Sequence, residues 1–163
     1  MCSSDLLDTL TYSWNFSDST SPVTGQSATH TFADNGNYNV ILTVTDKDGA
    51  TTTQTVVAKV DNVAPTIANI LKPATINEGQ SATFSATATD PGTKDTLTYS
   101  WNFGDNTTAV IGSTATHTFA DNGNYNVILT VTDKDGAATT QTVVGLTIFT
   151  IDGATLSTFA TTV

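Results

Sequence analysis

Residues 12–20 read YSWNFSDST and residues 99–107 read YSWNFGDNT, which sets Trp14 and Trp101 87 residues apart. A period of that size exceeds the roughly 20–50 residues of a solenoid repeat and fits one small β domain, so the chain is constrained to tandem modules. Residues 8–57 lie over 95–144 without a gap, and 42 of the 50 pairs are identical. Seven of the eight differences fall between residues 17 and 27 and their counterparts, as expected of a variable loop between fixed elements. The duplication is recent and covers most of the chain.

Within each module the dominant pattern is period 2, and no segment keeps a helical period. Ala82, Phe84, Ala86 and Ala88 alternate with Thr83, Ser85 and Thr87, and Leu97, Tyr99, Trp101 and Phe103 alternate with Thr98, Ser100 and Asn102. Each run predicts a strand with one buried face. Tyr125, Val127, Leu129 and Val131 form a third stripe, followed by the Asp133-Lys134-Asp135-Gly136 turn and a Thr/Val-rich strand over 138–148, a predicted hairpin. Further turns are expected at Asn77-Glu78-Gly79, Asp90-Pro91-Gly92, Gly104-Asp105-Asn106 and Asp121-Asn122-Gly123. About seven short strands in such a span predict an all-β, immunoglobulin-like β-sandwich, with Trp101 as its buried tryptophan and Tyr125 as its tyrosine corner.

At 163 residues the chain has room for one or two small domains. Its apolar runs are a few residues long, so none predicts a membrane span. Five Lys and Arg against 15 Asp and Glu give a net charge of −10 with no basic cluster. That sign repels phosphate backbones and anionic lipid, which excludes nucleic acid and membrane insertion from the expected partners. Cys2 is the single cysteine, so stability must come from packing or bound ions. Acidic, Thr-rich, Cys-poor chains are common among bacterial secreted and surface proteins, and an extracellular or cell-surface location is expected.

The modules are bounded by the DNVAPT stretch at 61–66, where Pro interrupts the pattern. Residues 1–6, MCSSDL, read as the in-frame end of a sequencing adapter; residues 1–7 are set aside as non-native or disordered, and the natural chain is expected to continue upstream. The expected organisation is 8–63 as a module lacking its first strands, 64–148 as a complete one, and 149–163 as a tail or the start of a further β segment. Asp152-Gly153 suggests a hairpin there. Without a counterpart of the strand carrying Phe84, the stripe Leu10, Tyr12, Trp14 and Phe16 leaves the first sandwich open. Strands borrowed from 146–163 or from a second copy are expected to close it, or the module is poorly ordered alone.

NEGQSATFSATATDPG at 77–92, LTYSWNFGDN at 97–106, HTFADNGNYNVILTVTDKDG at 117–136 and the linker NVAPT together resemble the PKD (polycystic kidney disease) domain in its bacterial form. The usual phrase of that family is Trp-Asp-Phe-Gly-Asp-Gly; Asn102 and Asn106 depart from it, and Ser17 and Ser19 depart further. Ser resists the positive φ that Gly accepts, so these changes are expected to alter the tightness of that turn and not the fold. The resemblance implies a β-sandwich spacer or adhesive module of a larger secreted or surface protein, without catalytic residues.

His30 and His117 share the context THTFADNG, and no Ser or Cys sits in a nucleophile setting, so each histidine is expected to hydrogen-bond a neighbouring loop. Calcium is the chemical alternative, because it takes six to eight oxygens that loop carboxylates and carbonyls supply. Asp90 and Asp95, with Asn77 and Glu78, form one candidate group; Asp133 with Asp135, and Asp46 with Asp48, form the other. Similar domains in some secreted collagenases bind Ca²⁺ at the loop between strands B and C, which ranks Asp90 and Asp95 first. No other cofactor is expected. Trp14 and Trp101 alternate with aromatics on one face and are read as core, not as sugar-stacking platforms. The Thr and Asn rows of the outer faces are the better ground for a polysaccharide or protein ligand. The function expected is a non-catalytic extracellular spacer or adhesion module, contacting other domains of the same protein and extracellular protein or polysaccharide. The alternative is the accessory region of a secreted protease or glycosidase whose catalytic domain is absent here.

Overall fold

The structure, a computed structural model, describes residues 9–144 and 146–150. They form two compact units: residues 9–63 with 91–95, and residues 64–90 with 96–144 and 146–150. Both are all-β.

The first unit contains β1 (Thr11–Asn15), β2 (Val23–Thr24), β3 (Gly36–Thr45) and β4 (Thr51–Val60), in one antiparallel sheet of order β2-β1-β3-β4. Alternation sorts its side chains by register. Trp14 lies opposite Leu42 and Tyr12 opposite Val44, while Ser13 faces Thr43 and Thr43 faces Thr53. One face is therefore apolar and the other carries hydroxyls. Among the described residues no second sheet covers the apolar face: Phe16 and Val40 are buried, but Trp14, Leu42 and Val44 are only part-buried.

The second unit contains β5 (Thr66–Leu71), β6 (Ile76–Asn77), β7 (Ser81–Thr89), β8 (Thr98–Asn102), β9 (Val110–Ile111), β10 (Thr114–Thr118), β11 (Gly123–Asn124), β12 (Val127–Thr132), β13 (Ala138–Val143) and β14 (Thr147–Phe149). A sheet of order β13-β12-β8-β9 packs against one of order β10-β7-β5, and β11-β14-β6 forms a small third sheet. The core between them joins Trp101, Val127, Leu129 and Val131 to Ala82, Phe84, Ala86 and Ala115. Trp101 and Phe84 are both 0% exposed, with ring centroids 5.9 Å apart. This is the expected immunoglobulin-like sandwich, two sheets burying their inner faces. The tyrosine corner is also present: the Tyr125 hydroxyl donates to the Asp121 carbonyl at 3.0 Å, and Tyr38 repeats the bond to Asp34 at 3.0 Å.

Three expectations need correction. The strand over 138–148 is broken between β13 and β14, because Val143, Leu146 and Ile148 are all buried and an uninterrupted strand cannot turn residues 143 and 146 to one face. Within 146–163, one of the two sources expected to close the first module, residues 147–149 pair as β14 with β6 and β11 of the second unit, where Leu146 and Ile148 join the core; residues 151–163 lie outside the described residues, as do the adapter-like residues 1–6. Trp14 is part-buried where Trp101 is fully buried, since among the described residues the layer that covers Trp101 has no counterpart in the first unit.

Candidate functional site

β8 ends in a tight turn that aims Asp105 at β10. Gly104, at φ +73°, and Asn106, at φ +65°, make the turn, and the Asn102 side chain accepts the Gly104 N–H at 2.9 Å. The Asp105 Oδ2 then accepts from His117 Nε2 at 2.7 Å, while its Oδ1 takes the Thr107 hydroxyl at 2.6 Å and the Thr107 N–H at 3.2 Å. The imidazole stacks on Phe103 at 4.1 Å. The first unit repeats every contact with His30, Asp18, Thr20 and Phe16. Burial pushes the Asp105 carboxyl up, but the Thr107 and His117 hydrogen bonds outweigh it and hold the carboxyl below its usual range. Asp18 falls to about 2, chiefly through the Thr20 hydroxyl, with His30 adding to it against the opposing effect of burial.

The order of these groups decides what they can do. In a hydrolytic triad the histidine stands between nucleophile and carboxylate and takes the hydroxyl's proton. Here the carboxylate stands between, and the Thr107 hydroxyl donates to Asp105 instead of His117. The group is a clip that fastens the turn to the 117 or 30 segment, as expected of these histidines. Its sequence trace was faint, because His117 and Asp105 lie 12 residues apart in an unremarkable loop.

The calcium candidates differ in their local bonds. Asp133 is 5% exposed and its Oδ1 accepts the Asp135 and Ala137 N–H groups, both at 2.9 Å, capping the hairpin turn. Asp46 does the same with Asp48 and Ala50. Asp135 and Asp48 are ion-paired with their neighbours Lys134 and Lys47. Glu78 accepts the Asn122 N–H at 3.1 Å, and Asn77 sits in β6 opposite Phe149. Asp90, at the end of β7, brings a carboxylate oxygen within 4.8 Å of one from Asp133, so a residue from each predicted group meets across the second unit. Asp95 closes the loop that Asp90 begins, its N–H donating to the Gly92 carbonyl at 2.9 Å. Two carboxylates and turn carbonyls can contribute to a hard-cation site whose remaining oxygens would be water.

The outer faces of the larger sheets are alike in the two units. Thr98, Thr132 and Ala138 align across β8, β12 and β13, as do Ser100, Thr130 and Thr140. In the first unit the rows are Thr11, Thr45 and Thr51, then Ser13, Thr43 and Thr53. These rows are uncharged and rich in hydroxyls. The first unit also has a cleft of about 100 Å³ lined by Phe32, Asp34, Val60 and Pro91 among others, and a shallower depression of about 370 Å³ at Leu10, Tyr12 and Gln26.

A family model described as PKD domain matches residues 2–60 and again 62–148. Among solved structures, the chain is similar to the PKD1 domain of Vibrio anguillarum Epp, at 26% identity and a TM-score of 0.45, covering 55% of this chain and 99% of that one. It is also similar to the fibronectin(III)-like modules of Clostridium thermocellum CbhA, at 19% identity and a TM-score of 0.44, covering 86% of this chain and 77% of that one. Among the described residues no helix is long and apolar enough to cross a membrane.

Proposed function

The chain belongs to the PKD domain family, and from that membership we propose that it is a pair of non-catalytic extracellular modules within a larger protein, contacting polysaccharide or protein through their hydroxyl-bearing sheet faces. The observation that carries this reading is the repeated face: the Ser100, Thr130 and Thr140 row of the second unit returns as Ser13, Thr43 and Thr53 in the first. Hydroxyls both donate and accept, so aligned rows suit a ligand that offers many weak polar contacts. Two copies on one chain add avidity to a weak single-site affinity. The histidine clips weigh against catalysis, since each hydroxyl in them is directed at a carboxylate held below its usual range, which makes that carboxylate a weak base toward it.

As a secondary element of the same reading, Asp90 and Asp133 are the residues that would hold Ca²⁺, which would offset the repulsion between two carboxylates brought this close.

Retention on insoluble polysaccharides and on immobilised extracellular-matrix protein tests the face. Thr43→Arg combined with Thr130→Arg is expected to cut retention by about tenfold or more, a loss of about 1.4 kcal/mol. Undiminished retention in a folded double variant would remove the face from the contact.

A further inference from the structure

The turn after β8 differs from its counterpart after β1 at residues 17, 19 and 21, and these differences give each unit one Asn-x-Ser/Thr sequence in a different place. In the second unit it is Asn106-Thr107-Thr108, where the first has Ser19-Thr20-Ser21. In the first unit it is Asn15-Phe16-Ser17, where the second has Asn102-Phe103-Gly104. Asparagine followed by any residue but proline and then by Ser or Thr is the acceptor sequence for an N-linked sugar, and it serves where it lies on an accessible surface loop.

The fold sorts these two sequences. Asp105 holds the Thr107 hydroxyl and N–H through Oδ1 and His117 through Oδ2, so the residues on either side of Asn106 are anchored while Asn106 itself stands exposed at φ +65°. Residues 106–109 are all exposed and belong to no strand between β8 and β9. The hydroxyl in the clip is that of Thr107, the middle residue, and not that of Thr108, which the acceptor sequence requires. In the first unit the corresponding parts are engaged. Asn15 closes β1 opposite Ile41, and its Oδ1 accepts the Ser17 N–H at 2.8 Å. The Ser17 hydroxyl donates to the Asn39 carbonyl at 2.6 Å, and Phe16 between them is only 7% exposed.

We propose that Asn106 is an acceptor for an N-linked glycan in the folded chain and that Asn15 is not. The donor is a glycosyl diphosphate, a sugar activated at its anomeric carbon by a nucleoside diphosphate or by a lipid diphosphate. The Asn106 Nδ2 forms a bond to the anomeric carbon as the bond from that carbon to the diphosphate oxygen breaks. The diphosphate leaves with the electron pair, and one Nδ2 proton passes to a base of the transferase. An amide nitrogen is a poor nucleophile while its lone pair is shared with the carbonyl, so the transferase must be able to turn the side chain. An exposed side chain at the tip of a turn permits this, and one whose oxygen is fixed on the Ser17 N–H does not. The site lies beyond the hydroxyl rows proposed as contact faces and does not depend on what they bind.

Glycan transfer to the intact folded chain, purified from a host without N-glycosylation, tests the proposal in two arms that separate the donors. One arm supplies a soluble N-glycosyltransferase with a nucleoside-diphosphate hexose, and the other a membrane-embedded oligosaccharyltransferase with a lipid-diphosphate oligosaccharide. Intact mass and peptide mapping are expected to show one added glycan per chain, on Asn106, in at least one arm. Asn106→Gln should abolish the gain and Asn15→Gln should leave it unchanged. Because Gln at a positive φ can disturb the turn, Thr108→Ala is the second variant, expected to abolish the gain with the circular-dichroism spectrum of the parent. A gain that survives either variant, or one that maps to Asn15, overturns the proposal. A synthetic peptide of residues 102–110 runs beside the chain. If the peptide is modified and the folded chain is not, the fold withholds the site; if neither is modified in either arm, the sequence is no acceptor; both results overturn it.

Discussion

Ser17 and Gly104 occupy the same place in two nearly identical turns, at φ +55° and φ +73°. A Cβ on Gly104 would stand 2.7 Å from the Asn126 carbonyl oxygen, closer than real Cβ contacts come. Ser17 carries a Cβ there, and its hydroxyl donates to the corresponding Asn39 carbonyl at 2.6 Å, so the turn keeps its left-handed backbone by converting a close approach into a hydrogen bond. Ser19 likewise takes φ +71° where Asn106 has +65°. The substitutions therefore change the chemistry of the turn and leave its shape, where a looser or tighter turn was expected. Gly104→Ala should cost about 1–3 kcal/mol from strain and contact. Gly104→Ser should cost measurably less, because the hydroxyl can reach Asn126 as Ser17 reaches Asn39; urea midpoints of the two variants that coincide would show that the bond contributes nothing. The acid limb follows from the clips. Asp18, at about 2, and Asp105 lie below the roughly 3.9 of an unfolded aspartate, so their stabilisation is complete above about pH 4 and is lost as pH falls toward 2. Repulsion among the other carboxylates has the opposite dependence, so the test compares the parent chain with Asp18→Asn plus Asp105→Asn. The variant should lose less stability between pH 4 and 2, and parallel curves would show that the clips do not titrate with folding.

Between the repeats, identical elements reach different states, and this sets the limit of what the sequence discloses. The strands β7, β8 and β12 were legible because one buried face imposes alternation, and the aromatic stripe placed Trp101 in the core. Less legible were the break between β13 and β14, which follows from where Leu146 and Ile148 find cover, and the two-residue ladders β6, β9 and β11, too short to have a period. The meeting of Asp90 with Asp133 was hidden for the same reason: they are distant in sequence and joined only by the way the sheets pack. Trp14 and Trp101 measure this tertiary contribution directly, as both donate an indole N–H to a glycine carbonyl, at 3.0 and 2.9 Å. Trp101→Ala should cost about 3–5 kcal/mol, and Trp14→Ala, part-exposed to begin with, about 1–2. Equal losses would show that something covers Trp14 in solution. For the Asp90 and Asp133 pair, Ca²⁺ at 100 times its dissociation constant should stabilise the fold by about 2.7 kcal/mol, and Asp90→Asn should abolish the gain. A melting temperature indifferent to millimolar Ca²⁺ and to chelator would eliminate the ion.

For the whole molecule, the consequence is that two stretches sharing 42 of 50 aligned residues should differ in their capacity to fold. The second unit buries Trp101, Phe84, Phe103, Phe119 and Leu129 almost completely between two sheets, and each buried side chain of that size contributes about 1.5–3 kcal/mol by leaving water. Among the described residues the first unit has one sheet, and of its apolar residues only Phe16 and Val40 are buried. A single sheet cannot bury its apolar face without a second layer, so little offsets the chain entropy lost on ordering. The aromatic contacts it does keep, Phe16 stacked on His30 at 4.0 Å and Phe32 on Tyr38 at 4.3 Å, lie at one end of the sheet and cannot substitute for that layer. Expressed alone, residues 64–150 should therefore unfold in one cooperative transition, with coincident fluorescence and circular-dichroism curves. Residues 8–63 alone should show a broad, low-amplitude melt, bind a hydrophobic dye, and associate as concentration rises, since an apolar face beside an unpaired edge invites further strands. A sharp, concentration-independent monomeric transition for 8–63 would mean that one sheet with its small aromatic cluster suffices to hold the unit folded.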